Sequence, residues 1–115
     1  VREAGRRAEE KAVSYLLKRG FEILERNYST RFGEIDIVAR EGSVLVFVEV
    51  KSRNRGDPEL SFTPSKARKL YKTAMIYLAS KGLLNLPIRF DLIAISGSGL
   101  AHYENILGEG GIIVG

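Results

Sequence analysis

Hydrophobic and polar positions alternate along this chain in two different rhythms. Between Arg2 and Arg19 the apolar residues Ala8, Ala12, Val13, Tyr15 and Leu16 recur at helical spacing, and Gly20 follows as a C-terminal stop. Phe21–Tyr28 predicts a strand. Gly33–Arg40 (GEIDIVAR) predicts a second, with Ile35, Ile37 and Ala39 alternating, and Val44–Lys51 (VLVFVEVK) a third, valine-dense and buried on both faces. Gly42-Ser43 between them suits a two-residue hairpin turn with glycine first. Ser52–Thr63 predicts a loop carrying Gly56 and Pro58. Thr63-Pro64 then opens a second helix as N-cap and first helical residue, with a stripe of Ala67, Leu70, Tyr71, Ala74 and Leu78 and a stop at Gly82. Arg89–Ile95 (RFDLIAI) predicts a fourth strand and Ala101–Ile106 a short last one. The order is α-β-β-β-α-β with one further strand. It predicts an α/β (α+β) domain over residues 1–107, a single mixed sheet flanked by helices, followed by a glycine-rich tail at 108–115.

Composition narrows the chemistry. The 115 residues hold no cysteine and one histidine, which excludes a disulfide scaffold, a thiol nucleophile, a cysteine zinc site and any mechanism needing two imidazoles. No apolar run reaches the roughly 18–20 residues of a membrane span. The N-terminal VREAGRRAEEKA has no apolar signal core, so a cytoplasmic protein with no membrane partner is expected. Carboxylate, lysine and hydroxyl chemistry remain, with a hard metal ion as helper. The net charge of +4 is unevenly spread. Lys51–Lys72 holds seven basic residues against two acidic, a balance of +5, leaving −1 for the rest. A local basic field of that kind suits either a polyanionic partner or a solvated loop and helix face.

Three charged residues sit where a core strand should be apolar. Glu49 and Lys51 interrupt the third strand and, two apart, share its face. With Gly42-Ser43 as the turn, Glu41 pairs with Val44 and Asp36 falls opposite Glu49; with Glu41-Gly42 as the turn, Asp36 lies diagonal to Glu49 on the same face. Two adjacent carboxylates repel, so one protonates or a cation bridges them. Mg²⁺ (or Mn²⁺) is commonly held by such a pair together with substrate phosphates, and Lys51 could position water or stabilise phosphate charge. The alternative is a partly buried ion pair in which Lys51 only neutralises the acids. Glu9 lies mid-stripe on the first helix and is either a third acid of this site or an edge residue paired with an arginine. Asp91 shares a strand face with Arg89 and reads as a structural ion pair. His102 carries no expected role, and Tyr71 and Tyr77 read as packing.

An Asp followed about a dozen residues later by Glu-x-Lys, in this element order, resembles the PD-(D/E)xK restriction-endonuclease-like superfamily. GEIDIVAR followed by VFVEVKSR is similar to the YraN family of small bacterial endonuclease-like proteins, and Gly5, Glu9, Ala12, Tyr15, Leu16, Asn27, Gly33, Glu34, Ser65, Lys66, Arg89 and Phe90 extend the likeness over residues 5–107. The resemblance implies a fold shared with archaeal-type Holliday junction resolvases. It also implies that Asp36 and Glu49 bind Mg²⁺ or Mn²⁺, that Lys51 assists the hydrolytic water, that Glu9 joins the site and that Ser65 or Lys66 contacts it or the phosphate. Fold alone does not decide activity.

The expectation is therefore a metal-dependent endonuclease acting on DNA, branched or junction DNA included, with no small-molecule cofactor. Asp36, Glu49, Lys51 and Glu9 form its site, and Arg53, Arg55, Ser65, Lys66, Arg68 and Lys69 its nucleic-acid contacts. A symmetric homodimer would give so small a chain two sites for two strands. The rivals are a nucleic-acid binder that keeps the fold without cutting, and an interaction module whose basic face meets an acidic protein.

Overall fold

The run Leu45–Val48 has no polar position, so it can only sit between two apolar layers, and it organises the molecule. The computed structural model describes residues 2–52, 62–97 and 99–107, with side chains from Gly5 onward. Seven elements follow in chain order: α1 (Arg2–Lys18), β1 (Glu22–Thr30), β2 (Gly33–Glu41), β3 (Val44–Ser52), α2 (Pro64–Lys81), β4 (Ile88–Ser96) and β5 (Gly99–Tyr103). The strands form one mixed sheet in the order β1-β2-β3-β4-β5. Only β3 and β4 are parallel, and α2 makes the crossover between them. Arg53, Arg55, the rest of the loop to residue 61 and the tail at 108–115 lie outside the described residues.

Each face of β3 buries against a helix. On one side Ala8, Ala12 and Leu16 of α1 pack on Ile37, Ala39, Val46, Val48, Ile93 and Ile95. On the other, Ala67, Leu70, Ala74, Tyr77 and Leu78 of α2 pack on Ile35, Val38, Leu45, Phe47, Phe90 and Leu92. Thr63 caps α2, its Oγ1 accepting from the Lys66 N–H, and Gly82 ends it in the left-handed conformation at φ 70°. Tyr77 is buried and Tyr71 partly buried, both packed in the α2 core.

Three boundaries differ from the sequence reading. β1 starts and ends slightly later, because buried Phe21 serves as an anchor beneath α1 rather than as a ladder residue. β5 runs Gly99–Tyr103 rather than 101–106: Gly99, at φ 132°, makes the tight return onto Ser96, and the chain leaves the ladder after Tyr103. Ile106 and Leu107 are then buried in the α2 core, with the Ile106 N–H bonded to the Phe90 carbonyl at 2.7 Å. The third concerns the faces of β2. Ile35 was grouped with Ile37 and Ala39 by strict alternation, yet it packs toward α2 while they pack toward α1. Both β1 and β2 change face together at one level. There Asn27 adopts φ 55° between the pairs Arg26↔Ile37 and Tyr28↔Ile35, and Asp36 lies opposite it.

Candidate functional site

The β2–β3 hairpin forms with Glu41 opposite Val44 and Gly42 at φ 62°, the register expected from a Gly42-Ser43 turn. Pairing runs regularly to Ile37↔Val48 and ends there, one step before Asp36 and Glu49. Beyond that point β3 continues on β4 alone as far as Ser52. The β3 backbone is thus left open toward β2, and a side chain closes it: the Val50 N–H donates to Asp36 Oδ2 at 2.8 Å. Asp36 stands at the fork between two strands, where backbone pairing has ended.

Asp36, Glu49 and Lys51 come together as expected. Lys51 Nζ lies 3.1 Å from Glu49 Oε2, and both side chains are mostly buried. Burial pushes the Asp36 carboxyl up to about 8; the charge of Glu49 and a hydrogen bond with it add to the effect, Glu9 contributes less, and the Val50 N–H works against it. At neutral pH the Asp36 carboxyl therefore keeps its proton unless a cation compensates it. The chemical character of the pair is that of a group awaiting either a proton or a metal.

Glu9 faces the sheet, its side chain only 13% exposed. Its Oε1 accepts from Arg26 Nη2 at 2.9 Å and Asn27 Nδ2 at 3.1 Å, and Glu10 also meets Arg26 at 3.1 Å. The hydrogen bond with Glu9 raises the Arg26 pKa, more than burial lowers it. Both alternatives for Glu9 therefore describe part of its geometry: it is arginine-paired, and it is near enough to act on Asp36. Among the described residues no three histidine, aspartate or glutamate side chains converge in a metal-binding group. The protein thus offers two close carboxylates, Asp36 and Glu49, with Glu9 outside them. An oxygen-only donor set of two carboxylates fits Mg²⁺ better than a softer metal.

Of the expected nucleic-acid contacts, Ser65, Lys66, Arg68 and Lys69 are exposed at the start of α2. Lys69 lies against the β2 start, its Cβ 3.6 Å from where a Cβ on Gly33 would be. Arg53 and Arg55 lie outside the described residues. The sequence reading passed over Arg26, whose role depends on a tertiary meeting with α1. Asn27 carried a usable signal: asparagine inside a strand run is the non-glycine residue best suited to positive φ.

A second polar cluster occupies the α1 face of β4. Asp91 is fully buried and accepts from Arg89 Nε (2.9 Å) and Nη2 (3.0 Å), from His102 Nε2 (2.8 Å) and from the Asn105 N–H (3.0 Å). Tyr15 donates to His102 Nδ1 at 2.9 Å and in turn accepts from Arg19. The expected Arg89–Asp91 pair is present, and His102, given no role from sequence, is its third arm. Every acceptor here is engaged, which makes this a clamp joining α1, β4 and β5.

The chain has close relatives. It is 45% identical over 106 residues to a UPF0102 protein of Thermodesulfovibrio yellowstonii, covering 90% of this chain and 94% of that one. A UPF0102 protein of Persephonella marina is 43% identical over 104 residues, with 88% and 90% covered. One of Thermotoga neapolitana is 45% identical over 102 residues, with 88% and 94% covered. The family profile spans residues 8–95, from the first buried turn of α1 to the end of β4, and so includes the fork, the carboxylate pair and Lys51. On that coverage, and as its YraN-like wording foretold, the chain belongs to the uncharacterised protein family UPF0102.

Proposed function

We propose that this protein is a metal-dependent phosphodiesterase of the PD-(D/E)xK type that cuts DNA endonucleolytically, with branched DNA among its substrates. The observation that carries the reading is the fork itself: Asp36, released from the ladder and bonded to the Val50 N–H, lies against Glu49 while Lys51 stands 3.1 Å from the Glu49 carboxylate. A purely structural ion pair would not keep a second carboxyl there at the cost of raising its pKa by burial and repulsion.

Asp36 and Glu49 hold Mg²⁺ or Mn²⁺, with Glu9 as an outer acid acting through Asn27 and Arg26. The metal supplies charge neutralisation on the phosphate and a more acidic water. With Glu49 engaged by such an ion, the Lys51 ammonium would be placed to orient water toward phosphorus or to meet developing negative charge. Ser65, Lys66, Arg68 and Lys69, together with Arg53 and Arg55, hold the phosphodiester backbone, which sets affinity without reading bases. Two copies pair to present two sites to two strands; a monomeric mass in sedimentation with full activity would overturn that arrangement.

The test is cleavage of a labelled panel of linear duplex, single strand, flap and four-way junction, each with Mg²⁺, Mn²⁺ or EDTA. Wild type is compared with Asp36→Asn and Lys51→Ala. Metal-dependent cutting that both substitutions abolish by at least about a hundredfold is the expected result. Salt-sensitive binding that persists in EDTA, with no cutting by pure wild type, would replace this reading with that of a binding module.

A further inference from the structure

The β1–β2 hairpin closes tightly, Thr30 opposite Gly33, with Arg31 and Phe32 as its two turn residues. The Phe32 N–H donates to Thr30 Oγ1 at 3.1 Å, so the turn is held by its own side chain. Phe32 is partly exposed and belongs to neither core cluster. Instead its ring gathers cations: Lys72 Nζ lies 4.1 Å and Arg31 Cζ 5.0 Å from the ring centroid. Lys69, one turn before Lys72 on α2, borders the same turn through its contact with Gly33. Among the described residues no carboxylate lies within ion-pair distance of Arg31 or Lys72.

Like charges gathered on one surface ring repel, and a cation–π contact at an exposed site returns only a modest part of that cost. An anion laid across them removes the repulsion. Phe32 also carries a π-face, covered by Lys72 and Arg31 in the free protein, which an acidic peptide does not need and an unpaired nucleobase would take in their place. The position matters as well. Asp36 lies three residue steps beyond Gly33 along the strand, about 10 Å at the usual rise. That is about three phosphate steps along one strand of a duplex. Gly33 fixes the relation between hairpin and helix, because α2 approaches it so closely that a Cβ would stand 3.1 Å from Thr73 Oγ1.

We infer that the hairpin tip, Arg31 and Phe32 with Lys69 and Lys72, is a docking site for a nucleic-acid strand entering the Asp36 fork, with Phe32 stacking on an unpaired base. The inference rests on the nucleic-acid reading above but not on cleavage. The tip takes single-stranded or frayed DNA in preference to closed duplex, because only an unpaired base exposes its face to Phe32.

The experiment measures binding in EDTA by fluorescence anisotropy, using a labelled single-stranded oligonucleotide and the same sequence as duplex. Phe32→Ala and Phe32→Leu should weaken single-strand binding roughly 5- to 100-fold and duplex binding much less. Arg31→Ala and Lys72→Ala should each flatten the dependence of log affinity on log salt by about 0.7 on the single strand. Arg40→Ala, an exposed cation paired with Glu22 at the far end of the hairpin, should change neither. Melting temperatures check that each variant folds. Unchanged binding by folded Phe32→Ala, or equal competition by poly-glutamate and DNA, overturns the inference, the latter in favour of an acidic protein partner. If wild type cuts nothing while Phe32→Ala loses binding, the tip stands and the catalytic reading falls. If cutting is metal-dependent but the tip variants bind as wild type does, the reverse holds.

Discussion

At the scale of the residue, Asp36 and Asp91 are opposite solutions to burying a carboxylate. Asp36 has one backbone donor against burial and a like-charged neighbour, and its pKa rises to about 8. It therefore binds a proton in the folded protein that it has lost in the unfolded one. In EDTA, stability should fall as pH rises from about 4 to about 8, at a slope no steeper than about 1.4 kcal/mol per pH unit for one proton. Asp36→Asn keeps an acceptor for the Val50 N–H and removes the ionisable group. It should melt higher than wild type at pH 8, by several degrees, and lose the slope. Mg²⁺ should raise the wild-type melting temperature at pH 8 but not that of the variant, since only the former regains by metal binding what it lost by ionising. Parallel melting curves for the two proteins across this range would sink the argument. At Asp91, burial pushes the pKa up, but hydrogen bonds from His102, Arg89 and the Asn105 N–H, with the guanidinium charge, outweigh it and hold the carboxyl below the usual range. The stability it contributes is full above the ordinary carboxylate range and disappears as pH falls through the lowered value. Asp91→Asn sets an amide N–H₂ among donors and leaves Arg89 undercompensated, so at pH 7 it should cost about 3–5 kcal/mol. A denaturant midpoint within about 1 kcal/mol of wild type would show the clamp to be dispensable.

At the scale of the element, the fork is made by what β2 does after Ile37. The face change at Asn27 and Asp36 turns the start of β2 toward α2, and Gly33 is the point of closest approach. Thr73 is fully buried there, its Oγ1 fixed on the Lys69 carbonyl at 2.8 Å, so it cannot yield much. Gly33→Ala should be mildly destabilising, by about 1 kcal/mol, because the tight contact with Thr73 outweighs the lower entropy of the unfolded chain. Gly33→Val should cost about 1–3 kcal/mol and move the hairpin tip away from α2. Denaturation of the three proteins side by side would decide it; a fully stable Gly33→Val would mean that the packing there is loose. The same elements show what the sequence could and could not convey. The Asp36–Glu49–Lys51 grouping was legible because a glycine-first turn fixes register and a strand's period of two fixes face. The fork was not, because nothing local to GEIDIVAR reveals that its ladder stops at Ile37. That depends on Asn27, a residue of another strand, taking positive φ. For the same reason alternation alone does not separate Ile35 from Ile37 and Ala39, and the arginine that engages Glu9 is not named by the sequence. The His102 clamp was hidden because it joins α1, β4 and β5, elements far apart in the chain.

At the scale of the whole molecule, the topology collects charge of opposite kinds at one end of the sheet. β2 begins and β3 ends there, so Asp36, Glu49 and Lys51 share that end with the hairpin tip. The packing of Lys69 on Gly33 brings α2 to it as well. Lys69 and Lys72, from the basic stretch of the sequence, are thereby set at the same end of the sheet as the acidic pair. A bare acidic pair would repel a phosphodiester, and a bare basic surface would hold it without chemistry; under the proposed function the arrangement would separate holding from reacting. That separation is measurable. Arg68 and Lys69 are exposed, and truncating both to alanine leaves the packing beneath them intact, since the Lys69 contact with Gly33 is made through its Cβ and backbone. Arg68→Ala with Lys69→Ala should reduce the salt dependence of duplex binding by nearly two in the log–log slope, about 0.9 for each lost phosphate contact. Affinity should fall most at low salt, where screening is weakest. The Mg²⁺-induced rise in melting temperature should be untouched, because in the proposed site the metal would answer to Asp36 and Glu49. Asp36→Asn should do the converse, losing the metal response while keeping the salt slope of wild type. A pair of variants that instead lost both properties together would show that one surface does both jobs, and the division of labour drawn from the topology would be wrong.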